Sequence, residues 1–223
     1  STAVSNATGL GVPSNGLLYP PASVEDIPYV TRPISEGGVL ERKGMVEVIS
    51  SLEPDGRKIP YDIRMGVWVT VEAETDYIKN CFEEYNAHTD PSGRYFTLYK
   101  RWHLIGLEVG VSVASVALRG EPTGVATGWN ADVVATAKRD LAPGEMLDGE
   151  GGYTVWGKLL PAATSVAMGG LPLGLAHNVN VVRPVKKGQS LSWADVAIDT
   201  TTHAYRTRRA MEDLFAQPQR RAA

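Results

Sequence analysis

The sequence predicts an α+β fold in parts: a helix-and-strand region over residues 1–128, an all-β region over 129–202, and a C-terminal helix and tail over 203–223. Three observations carry this reading. Two stretches, 75–87 and 101–119, repeat apolar residues at helical spacing. From Val125 the texture changes to short apolar runs cut by Gly and Pro, the pattern of an all-β unit. Within that unit one phrase occurs twice: "KRDLAPGEMLDGEGG" at 138–152 returns as "VRPVKKGQSLSWAD" at 182–195.

Residues 1–36 are rich in turn-formers ("TGLGVPSNG", "YPP", "RPISEGG") and predict irregular chain that wraps another surface. Residues 45–72 read as a hairpin. Val46, Val48 and Leu52 share one face of its first strand, and Met65, Val67, Val69 and Val71 share one face of the second. The connection holds Pro54-Asp55-Gly56, where Pro presets its backbone angle and Gly tolerates positive φ. A helix follows over 75–87, capped by Thr75 or Asp76, with Tyr77/Ile78, Cys81/Phe82 and Tyr85 recurring on one side. "HTDPSG" breaks it, and "RYFTLY" (94–99) reads as a strand. A second helix, 101–119, stops at Gly120 with Pro122 beyond. Its small residues, Gly106, Gly110, Ser112, Ala114, Ser115 and Ala117, predict close packing against a sheet or a partner. In the all-β region "DVVATAKRDL", "EMLDG", "YTVWGKLL", "VNVVRPV" and "SLSWADVAI" are the expected strands. The final stretch, "THAYRTRRAMEDLFAQPQRRAA", reads as a helix whose arginines line a solvated face or meet an anionic partner.

Composition narrows the function. A hydrophobic content of 43% supports a buried core, and a net charge of −3 argues against nucleic acid as a partner, since such surfaces concentrate Lys and Arg. The single cysteine, Cys81, excludes an internal disulfide and fits a reducing, cytoplasmic setting. Nothing is apolar enough for long enough to span a bilayer, because the best candidate, 104–118, is broken by Gly106, Glu108 and Gly110. The start "STAVSNATGLG" lacks the pattern of a signal peptide and an initiator Met, so a fragment or processed product is expected.

Aligning Arg139 with Arg183 sets Gly144 on Gly188, Glu145 on Gln189 and Leu147 on Leu191. Such a duplication predicts two equivalent β-excursions, each with a tight Gly turn and a Leu anchor, folded over one another. The phrase over 130–200 resembles the SAF domain, a β-clip module. Together with "SNATGL" (5–10) and "YKRWHLIGLE" (99–108), the chain resembles the second half of SAF-containing oxidoreductases of the homoserine-dehydrogenase-like and 1-deoxy-D-xylulose 5-phosphate reductoisomerase-like family. The resemblance implies a catalytic and dimerising region, a SAF domain and an NAD(P)-binding Rossmann domain ahead of them. No strand–G-x-G-x-x-G–helix fingerprint stands in this sequence, so the chain alone is expected to be inactive.

On that reading the substrate is a small polar carbonyl or hydroxy compound, phosphorylated or not, and the densest chemistry lies in "YKRWHLIGLE". Lys100 is the candidate to orient or protonate a substrate oxygen, and His103 to relay a proton or bind phosphate. Glu108 is a carboxylate in an apolar helix that calls for a partner. Tyr99 and Arg101 are candidate substrate-binding residues. If His103 and Glu108 share one helix they lie about 140° apart, too far to ligate one metal from it. By resemblance, Asn6 and Thr8 face a nicotinamide cofactor, NAD or NADP. The histidines show no ligand spacing, so no metal site is assigned, although reductoisomerase-like activity would want a divalent cation. The alternative is a non-catalytic β-clip module that binds a sugar-like ligand or a protein partner.

Overall fold

The computed structural model describes residues 1–216 and mixes helices with small antiparallel sheets, an α+β architecture. It divides into two compact units, Leu18–Val125 and Ser1–Leu17 together with the chain from Ala126 onward.

The first seventeen residues contain a helix, α1 (Thr2–Thr8), where the turn-formers suggested irregular chain. Gly9 ends it in the left-handed conformation at φ 78°. So short a helix is not stable by itself. What holds it is Asn6, whose Oδ1 accepts from the backbone N–H of Asn130 at 2.8 Å and Ala131 at 2.9 Å. This tertiary support leaves no local trace in the sequence.

In the unit Leu18–Val125, α2 (Ile27–Val30) packs Ile27 against Ala22, Ile49 and Ile63 in a small core flanked by Trp68. Strand β1 (Val67–Glu72) pairs antiparallel with β2 (Tyr95–Lys100), Val67 opposite Lys100 and Glu72 opposite Tyr95. Between them lies α3 (Asp76–Glu84), capped as expected by the Thr75 side chain, which accepts from Ile78 N–H. Helix α4 (Ile105–Arg119) follows and ends at Gly120, φ 69°.

Two expectations are corrected. The segment 45–52 is not the partner of β1. Met45, Val46, Glu47 and Ile49 are all buried, so the segment is covered on both sides rather than forming one half-buried strand. The Glu47 carboxylate accepts the backbone N–H groups of Leu18 and Tyr19, a job that a ladder carbonyl would do in a sheet. Helix α4 begins at Ile105, not 101, and its small residues meet no sheet: a Cβ added at Gly106 or Gly110 would find nothing within 4 Å.

In the other unit, β3 (Ala131–Ala137) pairs antiparallel with β5 (Val155–Pro161), while β4 (Met146–Asp148), β6 (His177–Val181) and β7 (Val196–Ala197) form a second sheet in the order β4-β6-β7. A short helix, α5 (Ala162–Ala167), follows β5. The repeated phrase folds with local two-fold correspondence. Gly144 and Gly188 turn at φ 88° and 80°. Gly144 N–H donates to Val181 carbonyl and Gly188 N–H to Ala137 carbonyl, the equivalent bond in the other copy. Glu145 accepts from Ala142 N–H just as Gln189 accepts from Lys186 N–H. Leu147 and Leu191 are fully buried in one shared core with Leu141, Val181 and Val185.

Helix α6 (His203–Ala216) leaves Arg206 exposed, as the solvated-face reading expects, but Arg208 departs from it. Arg208 is largely buried, donates to both oxygens of Asp132, pairs with Glu212, and stacks over Trp129 at 4.7 Å. Burial pushes the Asp132 carboxyl up, but the hydrogen bonds from Arg208 and Ser165 outweigh it and hold the carboxyl below its ordinary range. The expected tail over 217–223 lies outside the described residues. Among those described, no helix is long and apolar enough to cross a membrane.

Candidate functional site

The site is assembled where β2 hands over to α4. Lys100 is the last residue of β2, and its carbonyl lies close to Gly66, where an added Cβ would come within 2.8 Å. A glycine is therefore required for the approach to β1. The chain then crosses residues 101–104, anchored by His103 N–H donating to Met65 carbonyl at 2.6 Å. Helix α4 starts next, with Glu108 in its first turn. There the carboxylate sits at the positive end of the helix, a stabilising position.

Three of the expected residues converge. Lys100 Nζ pairs with Glu108 Oε1, and His103 Nδ1 lies 2.5 Å from Glu108 Oε2. Oε2 is buried against the His103 ring, a contact not aligned as a hydrogen bond. The 140° separation assumed for His103 and Glu108 does not apply, because His103 precedes the helix and its side chain is free to turn back. Lys100 and His103 both keep about half of their side-chain surface in solvent. The arrangement couples a cationic donor and an imidazole through one carboxylate, which suits proton transfer to an atom bound at the rim.

Beside the cluster, Arg101 and Trp102 line a cleft of about 180 Å³ with Tyr61, Asp62, Arg64 and Met65. The Arg101 guanidinium stacks over Trp102, 5.4 Å from the ring centroid. Tyr61 and Met65 are both left-handed, at φ 55° and 67°, conformations that cost a non-glycine residue energy. Met65 belongs to the cleft and also, through its carbonyl, holds His103. Residue patterns do not reveal Tyr61 and Met65 as cleft residues, because positive φ at a non-glycine residue has no residue signature. Trp102, between two candidates, was the available cue.

The remaining expected residues stand apart from this cluster. Tyr99 is exposed on β2 opposite Trp68 and does not line the cleft. Asn6 and Thr8 lie in the other compact unit, Asn6 pinning the start of β3 and Thr8 bonded to Val4 carbonyl at 2.7 Å. No group of three or more His, Cys, Asp or Glu side chains gathers to hold a metal among the described residues. Glu108, the carboxylate nearest a histidine, already has the Lys100 ammonium on one oxygen.

No curated protein matches the chain. Residues 1–109 match the family model described as "Oxidoreductase DRL, catalytic domain". That match supports an oxidoreductase catalytic-domain family, with a catalytic or substrate-binding role for this part of the chain.

Proposed function

We propose that this chain is the substrate-binding and dimerising portion of an NAD(P)-dependent oxidoreductase acting on a small polar carbonyl or hydroxy compound, phosphorylated or not. The observation that carries the reading is the convergence of Lys100 and His103 on Glu108 at the edge of the Arg101–Trp102 cleft, within the part of the chain matched by the oxidoreductase family. In reduction of a carbonyl the substrate oxygen gains a proton. Lys100 is placed to donate it, Glu108 holds the ammonium, and His103 passes a replacement proton from solvent. Arg101 draws an anionic substrate group into the cleft. The repeat-bearing unit is read as a SAF-type β-clip, supported by the two-fold correspondence of its turns.

The oxidoreductase match suggests a nicotinamide or similar cofactor. The described residues do not fit a dinucleotide site themselves: every paired strand is antiparallel, and the glycine run after Thr8 closes a helix instead of opening one at a phosphate. The cofactor is therefore assigned to a Rossmann domain outside these residues, and the chain's own share is binding and proton handling.

The test is steady-state turnover of the full-length gene product, followed by nicotinamide absorbance, against a panel of small hydroxy and carbonyl compounds and their phosphates. Lys100→Met is expected to lower kcat by about 100-fold or more, the usual worth of a positioned general acid. Arg101→Ala is expected to raise KM while leaving kcat within a few-fold. Full turnover in Lys100→Met overturns the assignment.

A further inference from the structure

Helix α4 is amphipathic in the reverse sense. At about 100° per residue, Glu108, Ser112, Ser115 and Arg119 fall within an arc of about 60°. Of the α4 side chains described, only Glu108, Ser112 and Ser115 are partly covered. The Ser112 hydroxyl meets Thr123 Oγ1 at 2.8 Å, and the Ser115 hydroxyl donates to Glu121 carbonyl at 2.8 Å. The polar stripe thus faces the helix's own chain. The opposite arc, about 160° wide, carries Gly106, Leu107, Gly110, Val111, Val113, Ala114, Ala117 and Leu118. All of these are exposed, Leu107 by 81% and Leu118 by 84%. An uncovered contiguous apolar face on a helix marks an interaction surface.

We propose that the occupant of this face is the same face of a second copy, with the two α4 helices antiparallel and their two-fold axis crossing the apolar face at the axial level of Ser112. Reversing the helix about that position sets Leu118 against Gly106, Leu107 against Ala117, Gly110 against Ala114 and Val111 against Val113. Large side chains meet small ones along the outer turns, so the face is complementary to itself, as a two-fold interface requires. It carries no charge that would be buried. The open space at Gly106 and Gly110 is the room that Leu118 and the close backbone approach need. This inference rests on the dimer of the proposed function and names its surface.

The test is the mass of the 223-residue chain in solution by light scattering and sedimentation, a readout independent of turnover. A dimer is expected, with Leu118→Glu raising its dissociation constant by about 100-fold or more, since the carboxylate would be buried against the partner helix. Arg119→Glu, on the polar stripe, is expected to leave the dimer unchanged. Both replaced side chains are exposed, and circular dichroism checks that each variant keeps its fold. In a Cys81→Ser background, Leu107→Cys with Ala117→Cys places the thiols about 15 Å apart along one helix. Oxidation is then expected to give a covalent dimer. A monomeric chain, a dimer indifferent to Leu118→Glu, or a dimer that fails to cross-link overturns the proposal. A cross-linked dimer whose full-length product lacks turnover leaves this interface standing and sinks the oxidoreductase reading instead.

Discussion

The two compact units use apolar residues in opposite ways. In the unit of 1–17 and 126–216, the strands turn Leu141, Leu147, Val155, Leu171, Val181, Val185 and Leu191 into one continuous core. In the unit Leu18–Val125 the core clusters around Ile27, Ile49 and Ile63, while Val67, Val69 and Leu98 on the sheet, and most of α4, remain bare. Apolar content alone therefore does not say where the interior is. A periodic apolar stripe states only that something will cover it, and in one unit the chain itself does so.

Buried charge shows the same divide and gives the largest expected effect. Asp132 depends on Arg208 and Ser165, with one N–H from Val133, whereas Asp90 accepts N–H groups from Ser92, Arg94 and Tyr95 besides its ion pair with Arg32. Arg208→Met is expected to cost about 3–5 kcal/mol, because it strands a buried carboxylate. Arg32→Met, whose carboxylate stays solvated by backbone, is expected to cost about 1–3 kcal/mol. Denaturant unfolding of the two variants checks the order. Equal losses would erase the distinction.

Core substitutions come next. Leu191→Ala is expected to destabilise by about 2–5 kcal/mol, whereas Val69→Ala is expected to stay within about 0.5 kcal/mol under monomeric conditions. A large loss at Val69 would mean that the bare sheet face is covered after all.

The smallest effect is in acid. The Thr154 hydroxyl, aided by the N–H groups of Tyr153 and Thr154 and opposed by partial burial, holds Asp148 down from 3.8 to about 2. A carboxylate lowered in the folded state contributes stability that is complete above its unfolded value and fades as pH falls through its folded value. The stability gap between the native chain and Asp148→Asn should therefore be constant above pH 3.8 and narrow toward pH 2. A gap that does not change with pH would remove Asp148 from the acid response.

These contrasts explain what could be read from residues alone. The duplicated turns were legible because Gly144 and Gly188 must adopt positive φ and Leu147 and Leu191 must be buried, requirements written into residue type. The Thr75 cap and the Gly120 stop were legible for the same reason. The supposed hairpin at 45–72 was not, since alternation cannot show that Glu47 would be buried among backbone donors. Within the candidate site, the cluster of Lys100, His103 and Glu108 was visible by proximity along the chain. Tyr61 and Met65 were hidden, because a left-handed tyrosine or methionine is imposed by its surroundings.

The exchange between the repeated turns has a kinetic consequence. Gly144 closes on Val181 and Gly188 on Ala137, so the first turn is completed by chain just ahead of the second copy and the second by chain just ahead of the first. Neither turn of the repeat can be secured by its own neighbouring chain. The search must bring distant segments together before the first turn is secured, which makes loop closure the expected bottleneck in folding. A ribosome releasing this chain would have to expose Val181 before the first turn could settle.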